Sequence, residues 1–218
     1  ADEEIDDNSK IKDFIKYVRE MKGTAAAIRA SNAETLGKIN LLKQLAVEGK
    51  MDTVIEWIEN FLESGEKLVV FCTHRKTIDV LMESFPGVAL RYDGSVSNTK
   101  RQEAVELFQN KKKWKLFVGM IDTQGKPSGV GITLTAANCT ATIEYQWTPG
   151  VHDQADDRVH RIGQKRGVIN YKFVAPNTIE EKLIHLLDVK RKMVDMVVDG
   201  RQTDEESLLT ELIKEYQN

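Results

Sequence analysis

The sequence is poor in residues that break or staple a chain. Its 218 residues include four prolines and two cysteines. So few prolines argue against a long extended linker, and no low-complexity tract or internal repeat interrupts the chain. Cys72 and Cys139 stand far apart, in "VFCTH" and "AANCTAT", and form no CxxC pair. They read as small buried apolar side chains in a reducing, intracellular compartment. No apolar run approaches the roughly 18 residues that a bilayer-spanning helix requires, so no membrane segment is expected. The acidic start "ADEEIDDNSK" lacks the apolar core of a secretory signal. An excess of positive charge is missing too: the net charge is -3. Whole-chain charge therefore gives no hint of nucleic acid. A local patch can hide inside a neutral total, and Lys100, Arg101, Lys111, Lys112, Lys113 and Lys115 fall close together in the sequence.

What is present is an alternation of two periodicities. The first fifty residues are polar-rich and helical. In "IKDFIKYVREMK" an apolar stripe of Ile11, Phe14, Ile15 and Val18 recurs at helical spacing. In "AETLGKINLLKQLAVEGK" the expected buried side is Leu36, Ile39, Leu42 and Leu45 or Ala46, and Gly49 marks the expected end. From Met51 helices alternate with short apolar runs. A helix "DTVIEWIENFLESG", N-capped by Asp52, leads to "KLVVFC". Four further runs follow, "VALRY", "WKLFVGM", "TATIEY" and "VINYKFVA", joined by helices except for a Gly-rich loop between "WKLFVGM" and "TATIEY". Continuous apolar runs indicate strands buried on both faces, and such alternation predicts an α/β fold with a parallel sheet flanked by helices. The division expected is residues 1–50 as a helical extension, 51–177 as the sheet domain, and 178–218 as a C-terminal helical extension.

Open parallel sheets bind ligands outside the carboxyl ends of their strands. Every unusual segment of this sequence falls at such an end: "THRK", "YDGSVSNTKRQ", "DTQGKPSGVGITLTAAN" and "WTPGVHDQADDR". In the second of these, Gly94, Ser95 and Ser97 precede a helix whose expected N-cap is Asn98, a ready phosphate site. Gly129 and Gly131 permit close backbone approach, and Thr133 and Thr135 supply hydroxyls. In "QADDRVHRIGQKR", Arg158 and Arg161 lie three apart on what reads as one helical turn stopped by Gly163. Arginine is a fixed cation whose planar fork suits phosphate oxygens, although a solvated helix with internal ion pairs would also fit a charge run.

These strings, in this order and spacing, resemble the second RecA-like lobe of Swi/Snf-type helicase-like ATPases, from about Lys67 to about Ala175. The approach "E-x-x-W-x-P-G", Glu144 to Gly150, is similar to the annealing-helicase branch and its prokaryotic or phage relatives. The resemblance implies one lobe of an ATP-driven translocase on double-stranded DNA, found inside cells and associated with DNA. It implies that Arg158 and Arg161 reach the ATP phosphates across a cleft, with Arg161 the finger on the γ-phosphate. Gln154 would align phosphates and attacking water. Gly94, Ser95, Ser97, Gly129, Gly131, Thr133 and Thr135 would meet the DNA backbone, and residues 178–218 would act as a brace. Thr133 and Thr148 stand where asparagine is usual in the family. The sequence has no GxxxxGK[ST] and no DExH-like motif, so the phosphate-cradling lysine and the Mg²⁺-holding acid would come from an N-terminal RecA-like lobe. ATP and Mg²⁺ are thus expected only in a two-lobe enzyme, and this chain alone is expected to be inactive. Two other classes fit the same sheet: a lobe acting on RNA or single strands, and a non-enzymatic interaction module.

Overall fold

A computed structural model describes residues 24–121, 132–146 and 149–196. Residues 46–205 form one compact unit, and residues 24–45 belong to another. The first element is a single helix, α1, Thr24–Glu63. It is followed by β1 (Leu68–Cys72), α2 (Arg75–Ser84), β2 (Ala89–Tyr92), α3 (Asn98–Asn110) and β3 (Leu116–Met120). Then come β4 (Cys139–Thr142), α4 (Pro149–Asp156), β5 (Ile169–Lys172) and α5 (Ile179–Met196).

All five apolar runs are strands of one parallel sheet, in the order β2-β3-β1-β4-β5. Side-chain alternation explains why β1 had to be apolar throughout. Leu68, Val70 and Cys72 pack with Val54, Ile58 and Leu62 of α1 and Ile78 and Leu81 of α2. Val69 and Phe71 face the other way, toward Ala104 and Phe108 of α3 and Val151 and Ala155 of α4. Only β5, at the sheet edge, is mostly exposed. No helix among the described residues is long and apolar enough to cross a membrane.

The structure corrects several expectations. Gly49 does not end a helix and Asp52 does not begin one, because α1 runs through both. A glycine inside a helix costs only about 1 kcal/mol, and the burial of Val47, Met51, Val54 and Ile58 on one side outweighs that. The buried stripe earlier in α1 is Ile39, Lys43, Ala46 and Val47, whereas Leu42 and Leu45 are exposed. Leu36 and the stripe at residues 11–18 lie outside the residues whose side chains are described. The basic cluster is also divided. Lys100 and Arg101 start α3 at the carboxyl edge of the sheet. Lys111 to Lys115 lie past its end, at the opposite edge, since 13 helical residues span about 20 Å.

Lys50 is buried in α1 because a partner distant in sequence satisfies it. Its Nζ donates to Glu180 Oε1 at 2.7 Å and Oε2 at 2.6 Å, and to Phe173 O at 2.8 Å. All three ammonium protons are thereby used, and Glu180 Oε2 also accepts from Ala175 N at 2.9 Å. Leu183 and Leu187 of α5 pack beside this pair with Tyr145. Lys50→Met should therefore strand the Glu180 charge and cost about 3–5 kcal/mol, measured by urea unfolding. The paired Lys50→Met, Glu180→Met variant should recover most of that loss.

Candidate functional site

The carboxyl edge is built from three loops and the end of one short helix. α4 stops at Asp156, where Oδ1 accepts from Thr140 Oγ1 at 2.9 Å and Oδ2 from Asn170 Nδ2 at 2.8 Å. Those bonds fix the helix end to β4 and β5. The chain then leaves regular helix. Arg158 N bonds to Ala155 O, Val159 N and His160 N to Asp156 O, and Arg161 N to Val159 O. Arg158 and Arg161 therefore sit on successive tight turns instead of on one helical turn. Gly163 closes them at φ 106°, a conformation that side chains with a Cβ rarely adopt.

The segment 132–138 folds under these turns. Leu134 N donates to Arg158 O at 2.8 Å. Arg161 Nη1 reaches Thr133 Oγ1 at 3.2 Å and Ile132 O at 3.4 Å. Gln164 Nε2 donates to Ala137 O at 2.6 Å and Thr135 O at 3.3 Å. The two sequence motifs are thus one structural unit, with Gln164 as the splice. Arg158 is half-buried, and among the described residues its Nε has no hydrogen-bond partner. Burial, and then the neighbouring Arg161 charge, hold its guanidinium below the usual arginine range. Gln154 is exposed on α4.

The second loop follows β2. Asp93 is buried and accepts from Ser95 N at 2.8 Å, from Ser95 Oγ, and from Arg91 Nε at 2.8 Å. Ser97, not Asn98, is the N-cap of α3: its backbone is extended and its Oγ accepts from Lys100 N at 3.4 Å. Both residue types cap well, and the difference is only where the backbone turns helical. Thr135 is turned inward, its Oγ1 accepting from Gln109 Nε2 at 3.2 Å. Gly129, Gly131, Trp147 and Thr148 lie outside the described residues.

The third loop, after β1, is organised by Glu144, a residue that sequence reading gave no role of its own. Its buried carboxylate accepts from Thr73 N and Oγ1, from His74 N at 2.7 Å, and from Thr77 Oγ1. One acid thereby ties β4 to the start of α2. The available signal was a lone acid at the end of an apolar run.

The helicase conserved C-terminal domain matches residues 49–163. The human "SWI/SNF-related matrix-associated actin-dependent regulator of chromatin subfamily A member 1" is 30% identical over 163 residues, covering 73% of this chain and 15% of that protein. The "DNA excision repair protein ERCC-6-like" of Danio rerio is 35% identical over 139 residues, covering 62% of this chain and 9% of that protein. The chain thus spans a small part of the relatives it matches. Among solved structures, the Sulfolobus solfataricus SWI2/SNF2 ATPase core in complex with dsDNA superposes with a TM-score of 0.60 at 27% identity, covering 87% of this chain and 42% of that one. The C-terminal part of the Fun30 ATPase domain gives 0.58 at 26%, covering 77% and 54%. The turns that carry Arg158 and Arg161, the parallel RecA-like sheet beneath them and these similarities agree: the chain belongs to the helicase conserved C-terminal domain family, as the second lobe of a Swi/Snf-type ATPase.

Proposed function

We propose that this lobe completes the ATP site of a double-stranded DNA translocase. ATP and Mg²⁺ would be held by an N-terminal RecA-like lobe, and this lobe would supply phosphate-facing arginines and DNA backbone contacts. The observation that carries the reading is the Arg158–Arg161 pair. Two fixed cations sit on successive turns bonded to Leu134 and Thr133, near enough for the Arg161 charge to act on Arg158, and among the described residues the Nε of Arg158 has no partner. Bringing like charges together is unfavourable unless an anion arrives, and a polyphosphate is such an anion. Arg161 is assigned to the γ-phosphate, Arg158 to the neighbouring phosphates, and Gln154 to alignment of phosphates and water. Positioning and charge are what phosphoryl transfer asks of a protein.

DNA contact is assigned to Gly94, Ser95, Ser97, Gly129, Gly131, Thr133 and Thr135. Ser97 is the best suited of the hydroxyls, because its oxygen caps α3 and its proton stays available for a phosphate oxygen. Ser95 already gives its amide and hydroxyl protons to Asp93, so a phosphate there would have to displace a carboxylate. Residues 178–218 keep the role of a brace between lobes, and the complete enzyme belongs inside the cell on DNA. The duplex bound to a structural neighbour favours double over single strands as the substrate.

The purified chain should bind unrelated duplexes weakly and equally, with a shallow slope of log affinity on log salt, about −2 to −3, reflecting few phosphate contacts. It should hydrolyse no ATP, with or without duplex. Fluorescence anisotropy at several salt concentrations and a steady-state phosphate-release assay check both. A strong preference for one sequence, or Arg161-dependent turnover by this chain alone, would overturn the assignment.

A further inference from the structure

The turn beneath the two arginines is held by two glutamines. Leu134 and Ala137 are buried with Phe108 and Phe117, a contact that pins the turn without giving it a direction. Within the turn, Ala137 N bonds to Leu134 O at 3.1 Å. Side chains meet the polar groups between. Gln164 Nε2 takes the carbonyls of Thr135 and Ala137. From α3, Gln109 Oε1 accepts from Ala136 N at 2.8 Å, and its Nε2 donates to Thr135 Oγ1 at 3.2 Å. A backbone N–H can only donate, so the oxygen of this amide must face Ala136 and the nitrogen Thr135. Gln109 is half-buried in the last turn of α3.

Two features give this amide more than a local task. The turn it grips is bonded to both arginine turns, through Leu134 N to Arg158 O at 2.8 Å and Arg161 Nη1 to Thr133 Oγ1 at 3.2 Å. The helix that carries it also begins at the Ser97 cap. At about 1.5 Å per residue, Ser97 and Gln109 lie about 18 Å apart along one helix axis. Satisfying an N–H needs only an acceptor, and a water molecule would serve. A side chain from a helix also fixes where that N–H stands.

We propose that Gln109 is a positioning residue, whose amide fastens the turn at 134–137, and with it the Arg158 and Arg161 turns, to α3. The proposal rests on those arginines facing nucleotide. It makes α3 the link between the duplex-facing Ser97 and the phosphate-facing arginines, although Gln109 itself touches neither ligand.

Backbone hydrogen exchange in the 218-residue chain tests the fastening. Gln109→Met keeps the length of the side chain and removes both bonds. Exchange at Ala136 should rise about tenfold or more relative to Val70 in the central strand β1. Exchange at Leu134, which reports the bond to Arg158, should rise about fivefold or more on the same scale. Gln109→Glu should stay near wild type at both, because its carboxylate accepts from Ala136 N and from the Thr135 hydroxyl. In the two-lobe enzyme, Gln109→Met should lower duplex-saturated kcat about tenfold, with KM for ATP and duplex affinity within about threefold. Gln109→Glu should restore most of that loss. Gln109→Ser leaves room for water at Ala136 N but no tether, so it should match Gln109→Met in turnover. A serine variant as active as wild type overturns the proposal. So does release of Ala136 with Leu134 unchanged, or a Gln109→Met loss confined to duplex affinity. If Gln109→Met fails to fold, Gln109→Ser decides both measurements. Arg161→Ala separates the proposal from its foundation. Intact turnover in that variant removes the nucleotide-facing reading, whereas exchange at Leu134 still decides whether Gln109 holds the arginine turns.

Discussion

Arg161→Ala in the two-lobe enzyme is expected to lower kcat by about three orders of magnitude or more while leaving duplex affinity nearly unchanged. The size follows from what an arginine finger supplies, roughly 10³ to 10⁵ in rate. The selectivity follows from the structure. Arg161 is exposed, and its Nη1 contacts Thr133 Oγ1 and Ile132 O at 3.2 and 3.4 Å, so its removal opens no core cavity. The turn itself is held by Gln164, by Leu134 N to Arg158 O, and by Gly163, none of which the change touches. Arg161→Lys should recover little, because an ammonium offers a point charge in place of a planar fork. Combining it with Arg158→Ala should cost much less than the product of the single effects, since both residues would serve one transition state. Single-turnover hydrolysis with saturating duplex is the measurement. A loss smaller than about tenfold would remove Arg161 from the finger role.

The sheet was legible because four of its five strands, β1 to β4, are buried. Continuous apolar runs at β1 and β3 left no other reading, and the loops at their carboxyl ends stood out by composition. The long helix was not legible. Gly49 and Asp52 carry ordinary stop and start signals, and only tertiary burial of Val47, Met51, Val54 and Ile58 overrides them. Lys43 and Lys50 also break an apolar stripe. Lys50 becomes a buried residue only when Glu180, 130 positions away, folds against it. The arginine pair was legible as chemistry but not as geometry, because three-residue spacing fits a helix and a run of turns equally. The Gln109 contacts needed the packing of α3 on the segment 132–138, which no local pattern contains. Glu144 was hidden for the same reason, as its partners belong to a loop that precedes it by some seventy residues.

Glu144→Ala is expected to be strongly destabilising. The carboxylate is 2% exposed as a side chain and lies 3.2 Å from His74 Nδ1, besides accepting from Thr73, His74 and Thr77. Removing it leaves two backbone N–H groups at the start of α2 and two buried or half-buried hydroxyls without their acceptor. At about 1–3 kcal/mol for each stranded group, with partial rescue by water, the loss should be about 3–5 kcal/mol. Burial alone would raise the carboxyl, but hydrogen bonds from His74, Thr77 and Thr73 hold it at about 2. An unfolded glutamate titrates near 4.3, so the folded state favours the charged form. The contribution of that preference is fully present above about pH 5 and is lost as pH falls toward 2. Its size corresponds to roughly 3 kcal/mol for a shift of this order. Urea unfolding of wild type and Glu144→Ala at pH 7 and pH 3 tests both claims. The gap in stability should be large at pH 7 and should shrink in acid, because protonation removes from the wild type what the substitution has already removed. Glu144→Gln should fall between them at pH 7, since it keeps one acceptor oxygen but turns an NH₂ toward the donors. A gap under about 1 kcal/mol, or one that does not change with pH, would mean that β4 and α2 are held together without this carboxylate.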